Sequence, residues 1–277
     1  LISQKKQALG LGIVIIGIIL IPPEVPAANS KGPNIPDDVK QTIRFRVDNG
    51  YNIGIVAGIV SPEGRQYYSY GKTALSENKK IDEKTVFEIG SVTKVFTALL
   101  LAQMAAQNEV SLNEPIEKYL PKSVKVPKHN DLSITLAHLS THSSALPRLP
   151  DNMRPAELNN PYDDYSAEQM YEFLSAHTLR RDIGTQYEYS NYGFGLLGHI
   201  LALRGGKSYE ELLKERILDV LNMTDTGITL KAEMKNHFAQ GHSGSREVSN
   251  WDFTSMAGAG ALRSSAQDLL RFLAANL

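Results

Sequence analysis

Cysteine is absent from the 277-residue chain, which excludes a disulfide framework, thiolate metal ligation and a lipoprotein-type cysteine anchor. A charge excess is absent too, since 29 basic and 30 acidic residues give a formal net charge of −1. The lysines and arginines are scattered, so no basic stripe exists to attract a polyanion, and nucleic acid is a poor candidate partner. The 42% hydrophobic and 21% charged content is that of an ordinary globular protein.

The first 29 residues have the pattern of an export signal. Lys5 and Lys6 precede the uncharged stretch ALGLGIVIIGIILI at residues 8–21, and Val25-Pro26-Ala27 follows as a small-residue cleavage site. The stretch is shorter than the roughly 20 residues that a spanning helix needs. We therefore expect residues 1–29 to be a signal peptide or an uncleaved anchor, which would be the sole membrane contact of an exported, periplasmic or extracellular protein.

The pattern after residue 35 predicts an α+β fold, with an antiparallel sheet flanked by helices and a mainly helical region at about residues 80–258. Residues 35–50 have helical spacing, and the segments YNIGIVAGIV and RQYYSYG flank a glycine-containing loop typical of a hairpin. Gly205-Gly206 and Asn222 are predicted helix ends. Capping-box spacing predicts four helix starts, at Ser111 with Glu114, Ser166 with Gln169, Ser208 with Glu211, and Ser264 with Gln267.

Two strands alone make a marginal sheet, since three or more are normally needed. No strand pattern follows the segment MAGAGALRSS at residues 256–265. We therefore expect further C-terminal strands beyond Leu277, which would make the domain at residues 35–277 incomplete.

A serine and a lysine lie one turn apart at the start of an apolar helix. Ser-x-x-Lys spacing occurs at four places, but only Ser91-Val92-Thr93-Lys94 is followed by a sustained apolar helical pattern, at residues 95–104. The Lys94 amine can reach the Ser91 hydroxyl, and it can take the proton if burial or nearby cations lower its pKa. Ser91 at a helix N-terminus would also present its N–H to an oxyanion. The alternative is an N-cap serine beside a solvated lysine.

A second polar triplet, Tyr189-Ser190-Asn191, precedes another glycine-rich apolar helix, and Tyr-x-Asn occurs nowhere else in the chain. A phenol can exchange protons with a lysine or with a leaving group, and an amide can hold a substrate carbonyl. The alternative interpretation is a helix start with an aromatic staple and a polar cap.

His138 and His142 have the four-residue spacing of a zinc-binding helix. Leu139 stands where that motif needs its glutamate, and no third ligand is evident at a plausible spacing. We therefore predict histidines that lie in the core or form hydrogen bonds, with no metal and no other cofactor.

Together these segments resemble the serine β-lactamase and penicillin-binding-protein superfamily, in particular its class C-like branch with the related D-alanyl-D-alanine peptidases and esterases. The resemblance covers most of the chain after residue 35. In the order of the family, it includes FEIGSVTK, NEVSLNEPIEKYLP, ITLAHLSTHSSALP, YEYSNYGFGLLGHI, ERILDVLNMTDT and AGAGALRSSAQDLLRFL.

The resemblance implies that Ser91 is the acylated nucleophile and that Lys94 is its proton partner. It implies that Tyr189 shares the proton transfer and protonates the leaving nitrogen, and that Asn191 contacts the substrate amide. Whether Lys94 or Tyr189 takes the serine proton stays open, because a coupled pair titrates jointly.

The chain departs from related patterns at three points. The class A branch fits less well, because its Ser-Asp-Asn triplet is absent and Pro155 stands where its glutamate base would lie. The family's third motif, His-x-Gly or Lys-Thr-Gly, follows the AGAGALRSS segment, whereas His242-Ser243-Gly244 precedes it in a stretch typical of a loop. We therefore expect the third motif beyond Leu277. Ala145 stands where the family often has glycine.

The primary hypothesis is an exported serine hydrolase that forms an acyl-enzyme with a β-lactam or a D-alanyl peptide. One alternative is a small-acyl esterase that uses the same residues. Another is a non-catalytic penicillin-binding or sensor-type domain on this fold. The sequence indicates a small-molecule or peptide partner and gives no signal for an oligomeric state.

Overall fold

The predicted hairpin is present in the computed structural model, which describes residues 32–277. Helix α1 (Asp37–Asp48) precedes strands β1 (Gly54–Ser61) and β2 (Gly64–Gly71), which pair in antiparallel register. Helix α8 (Ala266–Ala274), at the other end of the chain, packs Leu270 against Gly58 of β1. The hairpin therefore lies between the first and last described helices. The predicted signal peptide or anchor at residues 1–29 lies outside the described residues.

The segments between the hairpin and α8 are mainly helical, as expected for the α+β class. None of the helices described in residues 32–277 has the length and hydropathy needed to cross a membrane. In chain order the elements are β3 (Val86–Glu88), a 3₁₀ turn (Gly90–Val92), α2 (Thr93–Ala106), a 3₁₀ turn (Ile116–Lys118), α3 (Leu136–Ser140), α4 (Ala167–Ala176), α5 (Asn191–Gly205), α6 (Tyr209–Leu213), a π-helical turn (Lys214–Leu218), α7 (Ala232–Lys235), β4 (His242–Ser243), β5 (Arg246–Glu247), a 3₁₀ turn (Ala257–Ala259) and β6 (Arg263–Ser265).

The predicted helix boundaries are partly correct. Capping boxes are present at Ser166 and Ser208, and Gly206 ends α5 with a left-handed φ of 64°. The predicted box at Ser111 is wrong, because the chain forms a turn there in which the Glu114 N–H donates to the Ser111 carbonyl. The Glu114 carboxylate instead accepts hydrogen bonds from the side chains of Lys118 and Tyr119.

Short strands were missed where the sequence shows no alternation. Strand β3 pairs antiparallel with β6, and β4 pairs with β5 inside the stretch predicted to be a loop. Because β6 continues to Ser265, the cap of α8 falls one residue later than predicted, and the Ser265 hydroxyl accepts the Asp268 N–H. The β3–β6 pair holds the chain after Ala259 beside the start of α2.

Helix α2 is largely enclosed by the helical region. Phe96, Leu100 and Met104 are fully buried, whereas Val95 and Leu99 of the same predicted apolar pattern are 49% and 39% exposed. The core around α2 joins α5, α6 and the turn at Ala257–Ala259. This packing brings three separate segments to the first turn of α2.

Close contact between α5 and the Ala257–Ala259 turn depends on two glycines. A Cβ on Gly198 would lie 2.8 Å from the Gly258 Cα, and a Cβ on Gly258 would lie 2.8 Å from the Phe194 carbonyl oxygen. No larger residue fits at either position without moving backbone. The glycines therefore allow the turn to lie against α5, where it can reach α2.

Candidate active site

Ser91 lies in the 3₁₀ turn that leads into α2. Gly90 precedes it with a φ of +49°, a left-handed conformation that suits glycine. The Ser91 side chain is exposed, whereas Thr93 is buried and its hydroxyl accepts the Leu262 N–H at 3.1 Å. Because the first N–H groups of a helical segment have no acceptor within the helix, this turn can present both the Ser91 hydroxyl and N–H groups to a ligand.

The Lys94 amine is buried at the centre of the site, with 7% of the residue exposed. Its Nζ atom lies 3.2 Å from Ser91 Oγ, 2.9 Å from Asn191 Oδ1 and 2.5 Å from the Ala259 carbonyl oxygen. These oxygens come from the 3₁₀ turn before α2, from α5 and from the Ala257–Ala259 turn. The amine therefore connects the start of α2 with α5 and with the Ala257–Ala259 turn.

The partners of Lys94 suit an amine that acts as a base. A neutral amine has two N–H groups, which the Asn191 amide oxygen and the Ala259 carbonyl can accept. The lone pair is then directed toward the Ser91 hydroxyl. Burial lowers the pKa of the Lys94 amine, the Tyr189 phenol opposes this effect, and the positive charge of Arg148 lowers the pKa further.

The Tyr189 phenol approaches the same hydroxyl, with Oη 2.6 Å from Ser91 Oγ. Burial raises the pKa of this phenol, but hydrogen bonds with Lys94 and Ser91 and the charges of Lys94 and Arg148 outweigh that effect, so the net shift is downward. Lys94 Nζ and Arg148 Cζ lie 4.9 Å and 5.1 Å from the centroid of the Tyr189 ring. When Lys94 is protonated, two cations therefore favour the phenolate, which is the other protonation state of the coupled Lys94–Tyr189 pair.

Asn191 is the first residue of α5, and neighbouring loops hold it in place. The Ser190 hydroxyl caps the helix by accepting the Gly193 N–H at 2.8 Å, and it donates to the Pro147 carbonyl at 2.6 Å. The Asn191 N–H donates to the Arg148 carbonyl at 3.0 Å. The structure thus brings all four predicted site residues together.

Two features of the site were not identified from the sequence. The Ala259 carbonyl accepts the Lys94 amine, and a backbone carbonyl leaves no mark in a sequence. Thr97 holds that turn in place, because its hydroxyl donates to the Gly258 carbonyl at 2.8 Å. Arg148 is exposed and belongs to no motif. The sequence does offer one signal for it, because this cation directly follows the family-like segment ITLAHLSTHSSALP.

His138, His142 and His242 each form hydrogen bonds with nearby protein groups. The His138 Nδ1 lies 3.0 Å from the Thr135 hydroxyl, and the His142 Nδ1 accepts the Ser190 N–H at 3.0 Å. Within residues 32–277 no cluster of three or more His, Asp or Glu side chains is arranged to hold a metal ion. His242 belongs to the β4–β5 hairpin, where its Nε2 accepts the Leu75 N–H at 3.3 Å.

Ala145 adopts a left-handed conformation, with a φ of 62°. A glycine takes this conformation at no steric cost, and an alanine at a small one. The backbone here therefore has the shape for which a glycine is suited, although this chain has alanine.

The family model for the beta-lactamase family matches residues 39–277. The chain belongs to the beta-lactamase family. It is 32% identical to the D-alanyl-D-alanine-carboxypeptidase/endopeptidase AmpH of Escherichia coli K12, over 79% of this chain and 56% of that protein. It is 26% identical to an E. coli K12 beta-lactamase, over 88% of this chain and 61% of the relative. The chain thus spans about 60% of the length of these relatives.

Solved structures have the same fold. A beta-lactamase/D-alanine carboxypeptidase from Pseudomonas syringae matches 87% of this chain and 65% of its own with a TM-score of 0.74 and 25% identity. A protein with the same description from Yersinia pestis, complexed with citrate, matches 86% of this chain and 68% of its own with a TM-score of 0.71 and 25% identity. The α+β prediction is therefore confirmed by the known members of the family.

Proposed function

We propose that this protein is a serine hydrolase that forms an acyl-enzyme at Ser91 with β-lactams or D-alanyl peptides. One observation carries the proposal: Lys94 Nζ and Tyr189 Oη lie 3.2 Å and 2.6 Å from the single oxygen Ser91 Oγ. A serine hydroxyl needs such a base to become a nucleophile. The names of the relatives, carboxypeptidase/endopeptidase and beta-lactamase, support the substrate class.

Acylation begins when the coupled Lys94–Tyr189 pair takes the proton of the Ser91 hydroxyl. The oxygen then bonds to the substrate carbonyl carbon, and the resulting oxyanion accepts a hydrogen bond from the Ser91 N–H. As the carbon–nitrogen bond breaks, the phenol of Tyr189 gives a proton to the leaving nitrogen. An ester between Ser91 and the acyl group remains.

Deacylation returns the enzyme to its starting state. A water molecule loses a proton to the same coupled pair and bonds to the ester carbonyl carbon. The bond to Ser91 Oγ then breaks, and the oxygen regains its proton. Asn191, which hydrogen-bonds with Lys94 and with the Arg148 carbonyl, would contact the amide of the acyl group.

Export is part of the same proposal. Residues 1–29 would direct the protein out of the cytoplasm and provide any membrane attachment, and residues 35–277 would carry the hydrolase domain. This location would give the enzyme access to D-alanyl peptides of the cell wall or to external β-lactams.

A fluorescent penicillin followed by intact mass measurement tests acyl-enzyme formation. We expect one adduct on the wild-type protein and none on Ser91→Ala. Ser76→Ala is the matched control, because Ser76 begins another Ser-x-x-Lys tetrad and its hydroxyl instead hydrogen-bonds with Glu247. No adduct on the wild type, or an adduct that survives Ser91→Ala, would overturn the proposal.

Turnover of three substrates distinguishes the candidate activities. Hydrolysis of nitrocefin indicates a β-lactamase, release of D-alanine from a D-Ala-D-Ala peptide indicates a carboxypeptidase, and hydrolysis of p-nitrophenyl butyrate alone indicates an esterase. Stable labelling without turnover of any of the three indicates a penicillin-binding or sensor-type domain.

A further inference from the structure

We propose that His142 is a positioning residue, whose neutral imidazole accepts the Ser190 N–H and packs against the Tyr189 ring so that the phenol stays directed at Ser91. This inference rests on the proposed function for its kinetic consequences. The His142 imidazole takes part in none of the catalytic steps proposed for Ser91, Lys94 and Tyr189.

Contacts on both sides of Tyr189 hold the phenol in place. The His142 Nδ1 accepts the Ser190 N–H at 3.0 Å, and the His142 carbonyl accepts the Glu188 N–H at 2.8 Å. The residues before and after Tyr189 are therefore both hydrogen-bonded to one histidine. The side chain holds the chain after Tyr189 and the backbone carbonyl holds the chain before it, so a shift of the tyrosine backbone would break one of these bonds.

Packing between tilted rings gives the phenol ring a defined position as well. The His142 ring centroid lies 4.5 Å from that of Tyr189 and 4.8 Å from that of Phe194. Only 9% of His142 is exposed, so the imidazole is enclosed between the catalytic phenol and the α5 core. This packing limits rotation of the Tyr189 side chain away from Ser91.

The hydrogen bond determines the protonation state of His142. A backbone N–H only donates, so the Nδ1 atom must be unprotonated, and the neutral ring carries its proton on Nε2. Burial lowers the pKa of His142, and the charge of Lys94 acts in the same direction. The titratable groups against this ring are Lys94 of α2, whose charge acts on it, and the loop residues Tyr187 and Tyr189, whose rings pack on it.

Protonation of His142 would remove the acceptor for the Ser190 N–H and place a second cation near Lys94. The phenol would then lose its alignment with Ser91. A misplacement of about 1 Å can cost about 100-fold in rate. Below the pKa of His142, acylation should therefore require His142 to lose a proton, in addition to the proton that the Lys94–Tyr189 pair must lose.

Two substitutions separate the acceptor from the aromatic ring. His142→Asn keeps an oxygen acceptor near the Nδ1 position and tolerates the left-handed φ of 57°. His142→Phe keeps an aromatic ring against Tyr189 and removes the acceptor. We expect a loss of about 10- to 100-fold in the rate of acylation by fluorescent penicillin for His142→Phe, and of less than about tenfold for His142→Asn at neutral pH.

Two NMR readouts do not require activity. Ring ¹⁵N NMR should identify the Nε2–H tautomer of His142 at pH 7. Titration of ¹³Cζ-labelled tyrosine, assigned with Tyr189→Phe, should show a higher pKa for Tyr189 in His142→Phe than in the wild type, because the phenol moves away from Lys94. His142→Asn should leave that pKa close to the wild-type value.

The pH profile gives the kinetic test. In the acid limb, the log of the wild-type rate should fall with a slope of about two, and that of His142→Asn with a slope of about one, because one required deprotonation is gone. An unchanged Tyr189 titration in His142→Phe, or an Nδ1–H tautomer, would overturn the inference even if the wild type proved unreactive. Failure of the wild type to label, with the expected NMR results, would instead overturn the proposed function alone.

Discussion

Replacement of Lys94 by methionine removes the amine while retaining most of the side-chain volume. Its Nζ atom lies within hydrogen-bond distance of Ser91 Oγ, Asn191 Oδ1 and the Ala259 carbonyl oxygen. Loss of a positioned general base costs about 10²–10⁴ in rate. We therefore expect the rate of acylation by fluorescent penicillin to fall by about three orders of magnitude.

Stability should respond very differently from activity. Lys94→Met leaves the buried Ala259 carbonyl without a donor, at a cost of about 1–3 kcal/mol. The same change removes a desolvated amine from an apolar environment, which offsets part of that cost. We expect the free energy of unfolding to change by less than about 2 kcal/mol, because the two effects oppose each other.

Stopped-flow acylation and chemical denaturation measure the two quantities on the same preparation. Lys118→Met is the matched control, because Lys118 is an exposed lysine paired with Glu114 outside the site, and it should leave the acylation rate unchanged. An acylation rate for Lys94→Met within tenfold of the wild type would refute the role of the amine. An equal loss for both variants would mean that the assay reports something other than the site.

Three further substitutions test the surroundings of the site. Arg148→Gln removes a charge that lowers the pKa of Tyr189, so the acid limb of the rate–pH profile should move to higher pH. The acylation rate near pH 6 should fall by about two- to fivefold. An acid limb that stays at the wild-type pH would contradict this role of Arg148. Gly258→Ala would place a Cβ 2.8 Å from the Phe194 carbonyl oxygen, and we expect a destabilisation of about 1–3 kcal/mol with at least about tenfold slower acylation. Asp268→Ala removes a fully buried carboxylate that accepts hydrogen bonds from the Asp225 N–H and the Thr226 hydroxyl, so denaturation should show a loss of about 1–3 kcal/mol, while acylation of the folded fraction should be unchanged.

The serine and lysine were predictable because their relation is local. Residues three apart on a helix are neighbours. The apolar pattern after Lys94 indicated a buried helix with this lysine in its first turn. Tyr189 lies 98 residues from Ser91, so no spacing rule connects them. That pairing followed from the resemblance to the family, and the structure provides the distance.

Features that depend on backbone position were not predictable from the sequence. Every residue has a carbonyl group, so nothing in the letter sequence distinguishes Ala259 as an acceptor. The three-residue strands β3 and β6 are too short to show alternation. Ser264 and Ser265 both have a suitable polar residue three positions later, and only the strand register decides that Ser265 is the cap.

The burial and lowered pKa of the Lys94 amine therefore arise from tertiary structure and not from the Ser-x-x-Lys spacing. Ser76 and Lys79 have the same spacing, but both are exposed, and no helix follows them. An exposed lysine keeps a solvated ammonium group that cannot take the proton of a serine at neutral pH. Lys94 differs because α5 and the Ala257–Ala259 turn enclose it and supply two carbonyl-type acceptors. The close glycine packing that positions this turn is thus a requirement for the base, which is why a change at Gly258 should slow the chemistry although the residue touches no substrate.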